Sequence, residues 1–387
     1  MRRSSERIVL IVFAALALML VAKGVSQFLG DSGAGYDLKL SWVNERYFAR
    51  AVNPFDVAGA RIEPGWLGAR KAVVSPDLGI PEFVTYPPWS YPMAALFDWP
   101  QWPAVKNYFL FLNAACCAFL FWWIARTVEF STAKQQRWWV AAAILSNVAI
   151  SQTIINGNYG IIVTAFIAAA FLLEEAGWNL LAGLLMGLAM IKPTIAGPFL
   201  LIFMIEKKWV AAMAASGAVA ITWVGASIHV HTNPIEFLGQ MLESSRRFEL
   251  GGYAIWQGLA YFGMPRPAAL IINAVAVIAP ALFVMHRVRC NRQVVLAVAA
   301  LCSRLFTYHT TIDNVALLFV PVALWNFRLE SKWAHAAFWV FVCSLATPWR
   351  VLNSWETSAA VYCIWICGAA PLLLHRAGQP GLQNAPA

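Results

Sequence analysis

Successive apolar runs of nearly membrane-crossing length, joined by short charged links, constrain this chain more than any other feature. Ile8–Phe28, Tyr108–Ile124 and Ala268–Met285 each approach the ~20 residues that an α-helix needs to cross a bilayer. Backbone polar groups in hydrocarbon have no water to bond, so only helices and closed barrels span it. The runs are rich in Ala, Leu and Val and lack the apolar–polar alternation of a strand, which excludes an outer-membrane barrel. The expected fold is an all-α polytopic membrane protein with about twelve transmembrane or re-entrant helices, at 8–28, 104–125, 138–155, 159–173, 178–191, 194–205, 209–228, 267–286, 293–307, 313–328, 334–348 and 356–374. Several are too short for a full crossing. The pairs meeting at Asn156-Gly157-Asn158 and at Lys192-Pro193 have the form of segments that turn inside the membrane and line a cavity. With 60% hydrophobic and 12% charged residues, the whole of 1–387 reads as a single integral membrane domain.

Orientation follows from where short loops keep their Lys and Arg. Met1–Arg7 carries three arginines, and no clean small-x-small cleavage site follows, so 1–28 reads as an uncleaved first helix with a cytoplasmic N-terminus. Arg126, Lys134, Arg137, Lys207, Lys208, Arg287, Arg289, Arg292, Arg328, Lys332 and Arg376 then all fall on the cytoplasmic side, the last in or beside the tail 377–387. The two long polar segments, 29–103 and 229–266, fall outside, between the helical blocks 104–228 and 267–376. The expected setting is a bacterial cytoplasmic membrane with the working face outward and both termini inside. Much of the net charge of +9 serves this topology, so the partners expected of it are membrane lipids and not nucleic acid.

The seven cysteines lie in apolar runs or at a cytoplasmic end, and the long outer segments have none, so no disulfide framework is expected. Cys363 and Cys367 lack a third ligand and read as two small buried hydrophobes; no metal site is expected.

Most acidic residues of the outer segments, among them Asp31, Glu45, Asp56, Asp98, Glu236 and Glu243, read as solvated loop charges. Asp37 differs, because Trp42, Tyr47 and Phe48 follow it on an amphipathic helix from Leu38 to Ala51 that would hold the carboxylate at the membrane surface. A carboxylate shielded from water is a stronger base; the alternative is that Asp37 simply caps that helix. Tyr86-Pro87-Pro88-Trp89-Ser90-Tyr91-Pro92 is a rigid interfacial turn. Lys192 is a lone cation between two apolar segments, where an intramembrane charge marks an anion site unless the lysine only snorkels from a helix end. The stretch Ser303 to Asn314 gathers Arg304, Tyr308, His309 and Asp313; as a helix it would face His309 toward Asp313 and serve either as a phosphate cradle or as a polar network tying helix ends together.

Taken in order, the early Asp37, Tyr86-Pro87-Pro88, Asn156-Gly157-Asn158, the run from Ala182-Gly183 to Lys192-Pro193, and Ser303-Arg304 through Tyr308-His309 to Asp313-Asn314 resemble glycosyltransferase family 87 over roughly residues 35–330. The resemblance implies a GT-C-type fold and a hexosyltransferase that takes its sugar, mannose in the better-known members, from a polyprenyl-phosphate donor and passes it to a glycolipid or polysaccharide acceptor. It implies no cofactor. It makes Asp37 the general base of one inverting displacement and Lys192, Arg304 and His309 the cations of the leaving phosphate, with Asp313, Tyr86, Asn156, Asn158 and Tyr308 in support. Asn158 stands where many members have Gln, and Ser303-Arg304 where many have Ser-Pro; no Asp-x-Asp pair suggests a metal. The rival function is a lipid-linked glycan flippase or secondary transporter, against which stand the lack of an internal repeat and the one-sided polar mass.

Overall fold

The computed structural model describes residues 2–31, 33–62, 78, 84, 86–128, 136–245, 255–289, 291–306, 311–328, 331–347 and 355–373. Every regular element among them is helical. After α1 (Arg2–Gly30), the first polar segment folds into α2 (Tyr36–Ala49), α3 (Pro54–Ile62) and α4 (Ser90–Asp98). There follow α5 (Ala104–Thr127), α6 (Gln136–Ile144), α7 (Val148–Asn156), α8 (Gly160–Glu175), α9 (Asn179–Ala189), α10 (Pro193–Ile205) and α11 (Trp209–His229). The second polar segment forms α12 (Pro234–Ser245) and α13 (Ile255–Tyr261). Then come α14 (Arg266–Arg287), α15 (Arg292–Phe306), a 3-10 helix at Thr311–Leu318 leading into α16 (Phe319–Phe327), α17 (Lys332–Ala346) and α18 (Trp355–Leu373).

Glu6–Gly30 of α1, α5, α11 and α14 are long and apolar enough to cross a membrane. Only 28–33% of the most apolar stretch of each is buried, so most of their surface faces outward, as lipid contact requires. α6 and α7 together would make a fifth crossing, bent by 56° at the break. The expected single span 138–155 is divided there because the Asn147 side chain caps α7, accepting from the Ala149 N–H at 2.9 Å. α9 and α10 are apolar but shorter, and α9 rises only ~16 Å.

The core lies around α8, α15 and α16. α15 is buried without interruption from Val294 to Leu305, and its small residues Ala297, Ala299 and Ala300 admit close neighbours. α9 packs on α11 through Gly183 and Gly187: a Cβ on Gly183 would run into the Ala211 carbonyl and lie 2.6 Å from the Ala214 Cβ, and one on Gly187 would lie 2.8 Å from the Ala218 Cβ. The two polar segments meet, as residues of one face would. Phe48, Phe55 and Tyr91 pack with Val230 and Phe237, and the Asn53 side chain donates to Gln240 Oε1 at 2.8 Å.

Two expectations need correction. Cys363 and Cys367 are exposed, because α18 turns Tyr362, Trp365, Ala369 and Leu372 inward and the cysteines to the other side. Asp98 and Glu45, expected in solvent, are buried at 0% and 6% exposure, because α2 and α4 press their polar faces against each other.

Candidate active site

Three chain reversals bring the polar residues together. α7 ends at Gly157, whose φ of +69° only glycine adopts freely and whose Cβ, if present, would lie 2.6 Å from the Leu38 Cβ. α2 starts against this turn: Gly35 (φ +79°) donates its N–H to the Ile155 carbonyl at 2.7 Å. Asp37 therefore sits in the first turn of α2, inside the helix, and its Oδ2 accepts from Asn158 Nδ2 at 2.8 Å. Asn158 Oδ1 accepts from the Gly160 N–H at 3.0 Å, satisfying the start of α8, and from Lys192 Nζ at 2.7 Å. Lys192 precedes Pro193, which opens α10, and its ammonium also pairs with Asp313 Oδ1. The result is a continuous chain, Asp37–Asn158–Lys192–Asp313, of residues more than 270 positions apart at its ends.

The start of α2, the start of α8 and the start of α10 all meet in this chain. Each helix N-terminus carries unpaired N–H groups and about half a positive charge, so the junction favours anions. Asp37 remains partly exposed, and Oδ1 has no protein donor among the described residues. Loss of surrounding water raises its carboxyl above the ordinary value, and the Asn158 hydrogen bond and the Lys192 charge oppose that rise without cancelling it. Tyr86 packs edge-on against Tyr159, with ring centroids 5.2 Å apart. Burial, then the charges of Asp37, Asp313 and Asp98, hold its hydroxyl well above its ordinary value, so it stays neutral. The rest of that turn braces Lys192, since Trp89 Nε1 donates to the Met190 carbonyl at 2.8 Å.

The remaining sequence candidates lie elsewhere. Arg304 is buried; its Nε donates to Asn314 Oδ1 at 2.6 Å, and its guanidinium lies 5.1 Å from the Tyr362 ring and 5.7 Å from that of Trp365. It adjoins the polar chain through Asn314, next to Asp313. Asn156 turns back on its own helix, donating to the Gln152 carbonyl at 2.8 Å. Tyr308 and His309 lie outside the described residues. Asp313 opens a 3-10 helix rather than continuing an α-helix. A cavity of ≈ 210 Å³, lined by Arg126, Glu175, Arg292 and Phe171 among others, opens at the opposite ends of α5, α8 and α15 and touches none of these residues.

One buried acid was not singled out by the sequence. Asp98 Oδ2 accepts from Ser41 Oγ at 2.6 Å and from the Tyr159 hydroxyl at 2.7 Å, while Ser41 Oγ and the Tyr159 hydroxyl lie 3.0 Å apart. Burial raises its carboxyl to about 7, against hydrogen bonds from Ser41 and Tyr159 that pull it down. Its signal in the sequence was an acid enclosed by Leu96, Phe97 and Trp99.

Residues 83–308, more than half of the chain, match the model of glycosyltransferase family 87. The chain belongs to that family. The match takes in Tyr86, Asn158, Lys192 and Arg304, while Asp37 lies before it and Asp313 after it. No curated protein matches the chain. Membership of family 87, with helices long enough to cross a bilayer, makes this a membrane glycosyltransferase.

Proposed function

We propose that this family 87 member transfers a hexose, mannose in the first instance, from a polyprenyl-phosphate donor to a glycolipid or polysaccharide acceptor on the outer face of a bacterial cytoplasmic membrane. The observation that carries the proposal is a partly open carboxylate, Asp37, held one side chain away from a buried ammonium where three helix N-termini meet. Asp37 Oδ1 takes the proton of the acceptor hydroxyl as that oxygen attacks the anomeric carbon from the face opposite the phosphate. The carbon–oxygen bond to phosphate breaks, the polyprenyl phosphate leaves with the electron pair, and the anomeric configuration inverts. Phosphate is a good leaving group and needs no general acid.

Lys192 has three N–H donors, two of which are used by Asn158 and Asp313 among the described residues. The third is available to a donor phosphate oxygen, and the helix N-termini add to the same field. Arg304 contributes positive charge from behind Asn314, and His309 is assigned to the same phosphate. No step requires a cofactor. A GT-C-type arrangement of about twelve membrane segments, several of them half-crossings, fits the short α9 and α10 and the break between α6 and α7.

The test is transfer by purified protein from radiolabelled polyprenyl-phosphate mannose, with Asp37→Ala beside the wild type. The proposal requires the wild type to transfer with inversion and the variant to lose transfer while keeping its fold. Full activity in Asp37→Ala removes the base assignment, and substrate-driven transport without transfer favours a flippase.

A further inference from the structure

Asp37 and Asn158 are held at hydrogen-bond distance although they come from elements more than 110 residues apart. The Gly35 N–H on the Ile155 carbonyl holds the start of α2 to the end of α7, and beyond Asp37 a second tie between α2 and α8 converges on a single atom. Ser41 lies one helical turn after Asp37 on the same face of α2, and Tyr159 is the residue next to Asn158. Both of their hydroxyls converge on Asp98 Oδ2, at 2.6 and 2.7 Å. The Tyr159 ring cannot swing away, because Tyr86, Phe97 and Phe109 surround it at centroid distances of 5.2, 5.7 and 5.5 Å. Asp98 itself is placed by α4, whose C-terminal turn is tied to α2: Arg46 Nη2 donates to the Trp99 carbonyl at 2.6 Å and to the Pro100 carbonyl at 2.9 Å.

We propose that Asp98 is a positioning residue of the transferase site: its carboxyl clamps Ser41 of α2 to Tyr159 at the start of α8, and so sets the Asp37–Asn158 contact and the placement of Lys192 beyond it. This rests on the proposed function of Asp37. Asp98 Oδ1 is buried with no hydrogen-bond partner among the described residues, an arrangement that a charged carboxylate tolerates poorly. A protonated Oδ2 resolves the geometry, since three hydroxyl groups at 2.6, 2.7 and 3.0 Å close a ring in which each donates once and accepts once. The charged neighbours act in opposite senses, Glu45 of α2 disfavouring ionisation and Arg46 favouring it. The clamp thus works as a neutral acid and takes no proton from the substrate.

Asp98→Asn keeps a neutral side chain whose apex oxygen can accept from both Ser41 and Tyr159, though it donates nothing in return, and Asp98→Ala removes the apex. In the transfer assay, Asp98→Asn is expected to keep activity within about threefold of wild type, and Asp98→Ala to lose about 10- to 100-fold in kcat, in the range of losses from a misplaced catalytic group. In Asp98→Ala the acid limb of the pH–rate profile should also move to higher pH, because Asp37 loses the Asn158 hydrogen bond that stabilises its charged form. Hydrogen exchange of the substrate-free proteins reads the clamp without any transfer: Asp98→Ala should lose protection at residues 36–41 and 158–161, and Asp98→Asn should not. Equal loss of activity in both variants would overturn the proposal by making the ionisable group itself essential. So would an Asp98→Ala protein with unchanged acid limb and unchanged protection. If the wild type transfers nothing from the lipid donor, the proposed function fails, and the exchange pattern alone still decides whether the clamp exists.

Discussion

Asp98 is fully buried and Asp37 only partly exposed, and the proposed function gives them opposite roles because of what meets their oxygens. Asp37 has one oxygen on Asn158 and the other open, so it can accept a proton from a substrate. Asp37→Asn is expected to lower transfer by ~10²–10⁴-fold, the usual contribution of a positioned base. In the proposed role only the ionised form accepts a proton, and its carboxyl lies above the ordinary range, so activity should fall with acidification at a higher pH than an exposed aspartate would give, measured as kcat/KM against pH. Asp98 has a folded-state value of about 7 against 3.8 for a free aspartate, so the native state binds its proton more tightly than the unfolded state does. Its protonation therefore favours the fold below pH 4, and that contribution is lost as pH rises from about 4 to about 7. The thermal midpoint in detergent should fall over that window, and the fall should shrink in Asp98→Asn. Lys192→Met strips the ammonium from Asp313, a side chain only 12% exposed, and is expected to cost about 3 kcal/mol or more; adding Asp313→Asn should restore stability without restoring transfer. Lys192 and Asp313 were legible in the sequence as charges between apolar runs, Asp37 as a carboxylate at the membrane edge, and Asn158 as part of a turn between two short apolar segments. Asp98 was not, because an acid among Trp and Pro reads equally well as an interfacial loop charge, and only the contact of α2 with α4 removes it from water.

At the level of helices, apolar periodicity located the segments to within a few residues: 104–125 became Ala104–Thr127 and 209–228 became Trp209–His229. What periodicity cannot express is local hydrogen bonding that competes with the helix. Asn147 interrupts 138–155 by capping α7, and it also donates to the Asn314 carbonyl at 3.0 Å, tying that break to the 3-10 turn bearing Asp313. The glycine-rich run before Lys192 was legible as a motif, but its cause is tertiary. Gly183 and Gly187 leave room for the backbone of α11, and this contact fixes the helix whose end delivers Lys192. Gly183→Ala is expected to destabilise the protein by ~1–3 kcal/mol through overpacking, since the Ala211 carbonyl and the Ala214 methyl are both in the way. A lower melting midpoint together with reduced transfer would match this, and an unchanged midpoint would show that α9 can shift at little cost.

Over the whole molecule, the same helices present two chemically different ends. Asn158 at the start of α8 belongs to the Asp37 site, while Glu174 near its other end, ~24 Å away, pairs with Arg292 at 2.7 Å and with Lys208. Arg292 also reaches Glu206 at 2.7 Å, just past the end of α10, whose start follows Lys192. The alternation of crossings inferred from loop charge demands such a sorting: Lys208, Arg292 and Arg126 at one end, Asp37, Lys192 and Arg304 at the other. That sorting also gives a direct test of which end faces outward. In a background with the seven native cysteines replaced, cysteines would be placed at exposed positions, the first pair at Asp31 and Glu236 near the Asp37 end and the second at Ala176 and Lys332 near the Lys208 end. A membrane-impermeant maleimide should label the first pair in intact cells and the second pair only after permeabilisation. The reverse pattern would put the Asp37 site in the cytoplasm, where nucleotide-activated sugars are at hand and the need for a lipid-carried donor disappears. Labelling of all four in intact cells would mean that α8 and its neighbours do not cross the bilayer, leaving the short helices to line a cavity open on one side.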